Sequence, residues 1–485
     1  FVYENDRFHR FEGITSLENP VIRAIYQDRS GAYWFGADPS LAIRIKDGEE
    51  TVFDIGHEGT NSTTVDFITE DSAGNIWFTT DGGLTVMHDG LFSYYNKENG
   101  SPDNGVNGIL EDSEGNYWIS YNRGGVEKLS KGKFRTVPSP TSVNAICEDR
   151  YRGLVWIATD NGVQAYRGTE SVENTVTEFC KGARGRHMEA TPDGDLLISS
   201  YSGIIPQVHV SRDDKITVWT KDDGLSDIKS RIAIRTRNGD YYVGMTIGLN
   251  IIRHEDGQIM HVRKENGFSK NDYIMWLFED EDGRIWVGTN GGGVYIMQDR
   301  NVVKHYGTEE GLSGNVVFKI SSIGGHIWIA TGTGVSMFDE EQDRFINFNS
   351  RMGLGTDSVF QILVDQTNTA WMTTNKGIFS ADFAEMLAVA DGQKDRISVK
   401  YYGNSDGLIT NGVTSVSCGM IDSSGRSWFP LVDGFAIYDP AKSGKNTIPP
   451  KIEIQNYMID SEVHDYHGET IVIPAGAKRL FIRDT

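Results

Sequence analysis

Asp280-Glu-Asp-Gly-Arg-Ile-Trp286-Val-Gly-Thr-Asn-Gly-Gly-Gly293-Val294 decides how this chain folds, because the same order of residue types occurs at Asp71-Ser-Ala-Gly-Asn-Ile-Trp77-Phe-Thr-Thr-Asp-Gly-Gly83-Leu84. The pattern also carries Trp34, Trp118, Trp156, Trp328, Trp371 and Trp428, and in two further copies Leu197 and Tyr242 take the tryptophan position. Ten copies follow one another at spacings of 43, 41, 38, 41, 45, 44, 42, 43 and 57 residues, the last lengthened by an insertion around Ala381 to Arg396. A period of about 42 residues restricts the fold to propeller blades or two-helix repeats.

The content of each unit selects strands. In the second copy four short runs, Thr64 to Glu70, Asn75 to Thr80, Gly83 to His88 and Leu91 to Asn96, are rich in Val, Ile, Phe, Tyr and Trp and are separated by Gly/Asp/Asn turns. Only Ala381 to Ala390 looks helical. In the Asp-x-x-Gly turn, Asp caps turn amides with its carboxylate and Gly takes the left-handed conformation of a short hairpin loop. The second strand, Ile-Trp-Phe in type, is apolar on both faces, which requires a neighbouring sheet on each side. Four-stranded blades stacked around an axis supply that cover.

Ten blades exceed the 4 to 8 that usually close a ring. The fold expected is therefore all-β. It contains one seven-bladed β-propeller over residues 139–446 and, over 1–138, three blades of an incomplete preceding ring. The first strands of a β-sandwich follow over 447–485. The last blade runs from Gly434-Phe-Ala-Ile-Tyr-Asp into Ile448-Pro449-Pro450 without a fourth strand. Lys133 to Val137 is expected to cross over and close the ring as a clasp. Beyond residue 448, Lys451 to Asp460 and Glu469 to Pro474 alternate like strands but lack the blade turn. The opening Phe1-Val2-Tyr3-Glu4 and the closing Leu480 to Thr485 read as strands cut short, so a fragment of a longer protein is expected.

Composition removes several classes of function. The formal charge of −22, from 68 acidic and 46 basic residues, repels phosphate backbones and acidic membrane surfaces, so nucleic acid is not an expected partner. Cys147, Cys180 and Cys418 lie far apart without a Cys-x-x-Cys pair, which indicates neither a zinc knuckle nor a disulfide framework. No run approaches the ~18 apolar residues that a membrane helix needs. There is no Gly-x-Ser-x-Gly elbow, no Gly-x-x-x-x-Gly-Lys loop and no His-Glu-x-x-His pair. Fragments such as Asp280-Glu-Asp-Gly283 lack the bidentate glutamate of a calcium loop and read as turns. No catalytic residue, metal ligand or cofactor is expected.

The consensus Glu-Asp-x-x-Gly-x-Ile-Trp, continued by Tyr-x-x-x-x-Gly-Leu-x-x-Asn and clearest at Glu279 to Val294 and Tyr306 to Asn315, resembles the two-component-regulator propeller repeat. Ile448-Pro-Pro-Lys-Ile-Glu-Ile-Gln-Asn-Tyr457 is similar to the entry of the triple-tyrosine immunoglobulin-like domain of hybrid two-component sensors. The resemblance implies two seven-bladed propellers, a sandwich, one membrane helix and a cytoplasmic output module. It further implies a periplasmic ectodomain that senses oligosaccharides, within a homodimeric full-length receptor attached to the membrane only through that downstream helix.

Departures from the consensus mark the candidate binding residues, since a rigid scaffold carries its ligand on loops. Lys181-Gly-Ala-Arg184-Gly-Arg186-His187 replaces the usual Gly-Leu-x-x-Asn and concentrates donors on an acidic protein. Tyr201, Arg231 and Tyr273 depart from the pattern nearby in ring order. Paired arginines grip a carboxylate or sulfate through charge-assisted hydrogen bonds, so the ligand expected is an oligosaccharide or another small molecule. Each of these residues also has an ordinary reading as a solvated side chain of the surface, and the repeat tryptophans read as packing between blades. Trp219 and Trp276 lie outside that position and are expected to be buried. The competing readings are a propeller-fold lyase acting on a polysaccharide or streptogramin-like substrate, for which only His187 offers a base, and a protein-interaction scaffold.

Overall fold

The computed structural model describes residues 1–484 except 57–61, 131, 169, 263–266, 269–272, 417 and 443–453. The chain divides into two compact units, Phe1–Ser130 with Gly444–Thr485, and Lys131–Ser443. The second unit is a β-propeller of seven four-stranded antiparallel sheets. Their inner strands, in ring order, are Val143–Asp149, Gly185–Ala190, Ser230–Arg235, Ile274–Glu279, Val317–Ile323, Val359–Val364 and Met420–Ile421; blades are numbered first to seventh in that order. The crossing strand expected from residues 133–137 is present. Phe134–Pro138 lies antiparallel to Gly434–Tyr438 and is the outermost strand of the seventh blade. These residues, read from sequence as the end of the first block, are thus a strand of the second unit. Phe134 is buried among Trp371, Tyr402, Phe429 and Tyr438, with ring centroids 5.3–5.8 Å away.

The consensus residues act as a set of interlocking bonds. In the fourth blade, Asp280 Oδ1 accepts the Asp282 and Arg284 amides at 3.1 and 2.8 Å, and its Oδ2 accepts the Trp286 indole N–H at 2.7 Å. Gly283 sits at φ +77°, where a side chain would be strained. The same carboxylate-to-indole bond joins Asp28 to Trp34, Asp71 to Trp77, Asp112 to Trp118, Asp149 to Trp156, Asp365 to Trp371 and Asp422 to Trp428 at 2.8–3.1 Å. Where Leu197 or Tyr242 replaces the indole, threonine (Thr191, Thr236) replaces the aspartate, since no N–H remains to be satisfied. In the fifth blade Trp328 donates to the Ile323 carbonyl instead. The glutamate before the aspartate reaches the preceding blade: Glu111 accepts from Ser72 and Glu279 from Arg237. Glu148 accepts from Ser423 and so ties the first blade to the seventh. Ring closure is completed by Ile146 N–H to the Cys418 carbonyl at 2.9 Å and Cys418 N–H to the Asn144 carbonyl at 2.8 Å.

The first unit holds three blades side by side, with inner strands Ile22–Gln27, Val65–Glu70 and Val106–Glu111. The third of these has three strands, and no further blade of this unit follows it among the described residues. Trp118, in the position that is buried elsewhere, is therefore 42% exposed. The same unit contains a sheet of Glu462–Asp465, Ile454–Ile459 and Leu480–Asp484. Residues 469–474, read from sequence as a strand, form none. No partner strand lies beside them among the described residues, and Val472 and Ile473 stay exposed. The expected sandwich entry over 448–453 lies outside the described residues.

Candidate ligand-binding site

Every inner strand described over its full length carries a register shift at its second residue. A β-bulge of this kind leaves one residue without a ladder partner and turns its side chain. Around the second unit the bulged residues are Asn144, Arg186, Arg231, Met275, Phe318 and Phe360 on the first to sixth blades. Three polar residues thus occupy one side of the ring and three apolar ones the other; the Phe318 and Phe360 rings stand edge to face at 5.1 Å.

The polar side gathers the arginines expected from sequence. Asn144 donates to Asp160 Oδ1 at 2.9 Å and to the Gly185 carbonyl at 2.8 Å, and its Oδ1 accepts from Arg186 Nη1 at 3.4 Å. The Arg184 Nε donates to the same Asp160 oxygen at 2.9 Å. Burial opposes ionisation of Asp160, but the bonds from Arg184 and Asn144 outweigh it and hold its carboxyl below the usual range. The Arg186 guanidinium lies 4.5 Å over the Tyr201 ring, and the Tyr201 hydroxyl is 2.7 Å from that of Tyr273. Burial and the hydrogen bond to Tyr201 push Tyr273 up to about 12.

Arg186 and Arg231 are each only 8% exposed. Among the described residues no carboxylate pairs with either, Arg186 Nε is buried without a partner, and Arg231 has no hydrogen-bond partner. Burial first, then the nearby Arg184 and Arg231, lower the Arg186 pKa. Five of the six candidates therefore converge. Residues 269–272, which precede Tyr273, lie outside the described residues.

His187 does not join the rim. It belongs to the strand Gly185–Ala190, its ring stands edge-on to Trp276 at 5.2 Å, and its Nδ1 is buried without a partner. Burial, then Lys319 and Arg231, depress its pKa to about 3, so the imidazole is neutral at pH 7. Trp276 donates to the Ile320 carbonyl at 2.9 Å, and Lys319 Nζ lies 4.4 Å over its ring and donates to Cys418 Sγ at 2.8 Å. His187, Trp276 and Lys319 occupy the position after the bulge on the second, fourth and fifth blades. Sequence reasoning passed over Asn144, Asp160, Lys319 and Cys418. Aligning Val143-Asn-Ala, Val317-Phe-Lys and Val359-Phe-Gln on their leading valine would have shown which residues line the bore.

Asp240, His254 and Glu255 offer ligand atoms within 4.8 Å of one another. Arg300 fills that space, bonding Asp240 at 2.7 and 3.0 Å and Glu255 at 3.0 and 3.1 Å. A guanidinium already supplies the positive charge a metal would bring. Among the described residues no helix is long and apolar enough to cross a membrane.

Residues 100–123 and 267–291 match the two component regulator propeller family. No curated protein matches the chain in sequence. Among solved structures, the extracellular domain of the putative hybrid two component system BT3049 from B. thetaiotaomicron is 20% identical over 97% of this chain, with a TM-score of 0.74. The extracellular domain of the putative hybrid two component system BT4673 from the same organism is 15% identical over 93%, with a TM-score of 0.52. The chain spans 62% of the length of each of these structures. It carries the two-component regulator propeller repeat, on a fold shared with those extracellular domains.

Proposed function

We propose that this chain is the ligand-sensing, extracytoplasmic region of a two-component or hybrid signalling receptor. Its second propeller binds an anionic, carbohydrate-type ligand at Arg184, Arg186, Tyr201, Arg231 and Tyr273. The observation that carries the reading is the pair of arginines, each 8% exposed and neither in an ion pair with a carboxylate among the described residues, with Asp160 the one acidic group near Arg186. Holding such charges out of water costs several kcal/mol per ion unless a counter-ion supplies it back, and a carboxylate or sulfate does so with bidentate geometry. Tyr201 and Tyr273 add hydroxyls and ring faces that suit a sugar. In this reading the domain is periplasmic, its signal reaches an output module through parts of the receptor outside this chain, and a homodimer is the signalling unit.

One observation touches the lyase reading. Tyr201 and Tyr273 beside two arginines would suit proton abstraction next to a neutralised carboxylate, but Tyr273 stays protonated up to about 12 and makes a poor base.

Isothermal titration with uronate- and sulfate-bearing oligosaccharides against neutral ones tests the proposal. Binding is expected only for the anionic set. Arg186→Ala or Arg231→Ala should weaken it by about 30- to 150-fold, as loss of a charge-assisted hydrogen bond of about 2–3 kcal/mol implies. Unchanged affinity in both variants refutes the site, and ultraviolet-absorbing unsaturated product would establish the lyase instead.

A further inference from the structure

The bore of the second propeller holds a contact that neither ligand binding nor packing explains. Lys319 Nζ and Cys418 Sγ lie 2.8 Å apart, and the two residues are 8% and 9% exposed. They belong to the fifth and seventh blades, so the contact passes over the sixth. There Gln361 binds Gly419 on both sides, donating to its carbonyl at 2.9 Å and accepting its N–H at 2.7 Å. No carboxylate faces the amine among the described residues. Its other neighbour is the Trp276 ring, and beyond that the neutral His187.

We infer that Lys319 and Cys418 are a covalent modification site, at which oxidation by dioxygen joins Nζ to Sγ through a single bridging oxygen atom. The S–H bond and one N–H bond break, and an S–O and an O–N bond form. One oxygen atom of dioxygen stays in the bridge, and the other leaves as water with the two released hydrogens. Sulfur and nitrogen each give up two electrons, and dioxygen takes all four.

Three features favour this product over others. Burial lowers the Lys319 pKa, which enlarges the neutral, nucleophilic fraction of the amine. That amine donates to the Cys418 sulfur at 2.8 Å, so the two atoms that would be joined already touch. The remaining thiol near Cys418 is Cys147, and burial pushes its pKa up while its sulfur accepts the Ala190 N–H at 3.1 Å. A thiol held in that state is a weak competitor for a disulfide. The bridge would fasten the seventh blade, which the crossing strand also closes, to the fifth.

The test uses the unmodified chain. Intact mass is measured after aerobic purification and again after purification under reductant without oxygen. The aerobic sample should be heavier by one oxygen less two hydrogens and revert fully on dithiothreitol, and digestion should yield the Lys319 and Cys418 peptides joined. Cys418→Ser and Lys319→Arg should each abolish the gain; failure of either to fold leaves the wild-type masses decisive. No mass change under oxygen, whole-oxygen additions at Cys418 without a cross-link, or a bare loss of two hydrogens through Cys147 would each overturn the inference.

Discussion

The bond between Asp280 and Trp286 is where the repeat can be tested most sharply, by a double-mutant cycle of Asp280→Asn and Trp286→Phe. The first substitution keeps one oxygen for the turn amides of Asp282 and Arg284 but turns an N–H₂ toward the indole, and the second keeps most of the packing while deleting the N–H. Losses peculiar to one position, such as the 2.7 Å bond from Arg284 Nε to Asp280, appear on both arms and cancel. What survives is the indole-to-carboxylate bond, buried and 2.7 Å long. A hydrogen bond to a charged acceptor contributes about 1.5–3 kcal/mol, so a coupling of about 2 kcal/mol is expected. Each kcal/mol is about 1–2 °C in Tm for a unit of this size, so the coupling is readable by thermal and urea unfolding. The same cycle at Asp112 and Trp118 has identical chemistry at 2.9 Å, but that indole is 42% exposed and water can take its N–H. No resolvable coupling is expected there. Equal couplings at the two sites, or one below about 0.5 kcal/mol at Asp280, would refute the claim that burial gives the bond its weight.

The clasp should be as important as any inner strand: Phe134→Ala is expected to cost about 3–5 kcal/mol in unfolding free energy, read from urea midpoints. Arg231→Met should raise the Tm of the ligand-free protein while abolishing anion binding, because it removes a buried charge with no partner; a fall in Tm would show that the charge is satisfied. Acid should weaken the second propeller through His187. Below about 6.5 the unfolded chain takes up a proton that the fold, with Lys319 and Arg231 nearby, refuses until about 3, so stability falls as pH falls through that window. The loss from this group is about 2 kcal/mol at pH 5; burial raises Glu189 on the same strand to about 7, so its proton uptake stabilises the fold over the same window, and in a Glu189→Gln background His187→Gln should flatten the pH dependence of urea midpoints between pH 7 and 5.

Much of the propeller was legible in residue order because the forces that build one blade act within about 40 residues and recur. Asp280, Gly283 and Trp286 specify a turn, a left-handed residue and an interblade wedge, and their copies announce the same blade again. Even the clasp followed from counting strands. The arginine loop was visible as a departure from consensus, yet its partners were not. Arg186, Arg231 and Tyr273 come from three separate blades, and what each faces depends on one-residue bulges that reorient the chain at the mouth of the ring.

For the same reason His187 looked like a rim donor and proved to be a neutral residue in the bore, since consecutive residues of a strand point to different environments. Lys319 and Cys418 give the limiting case, 99 residues apart with no shared motif. Sequence by itself determined the repeating blade, its strands and its wedges, because those rest on short-range turn chemistry and alternation. Only closure of the ring decided which side chains meet on the axis, because that surface is assembled from seven inner strands and belongs to none of them alone.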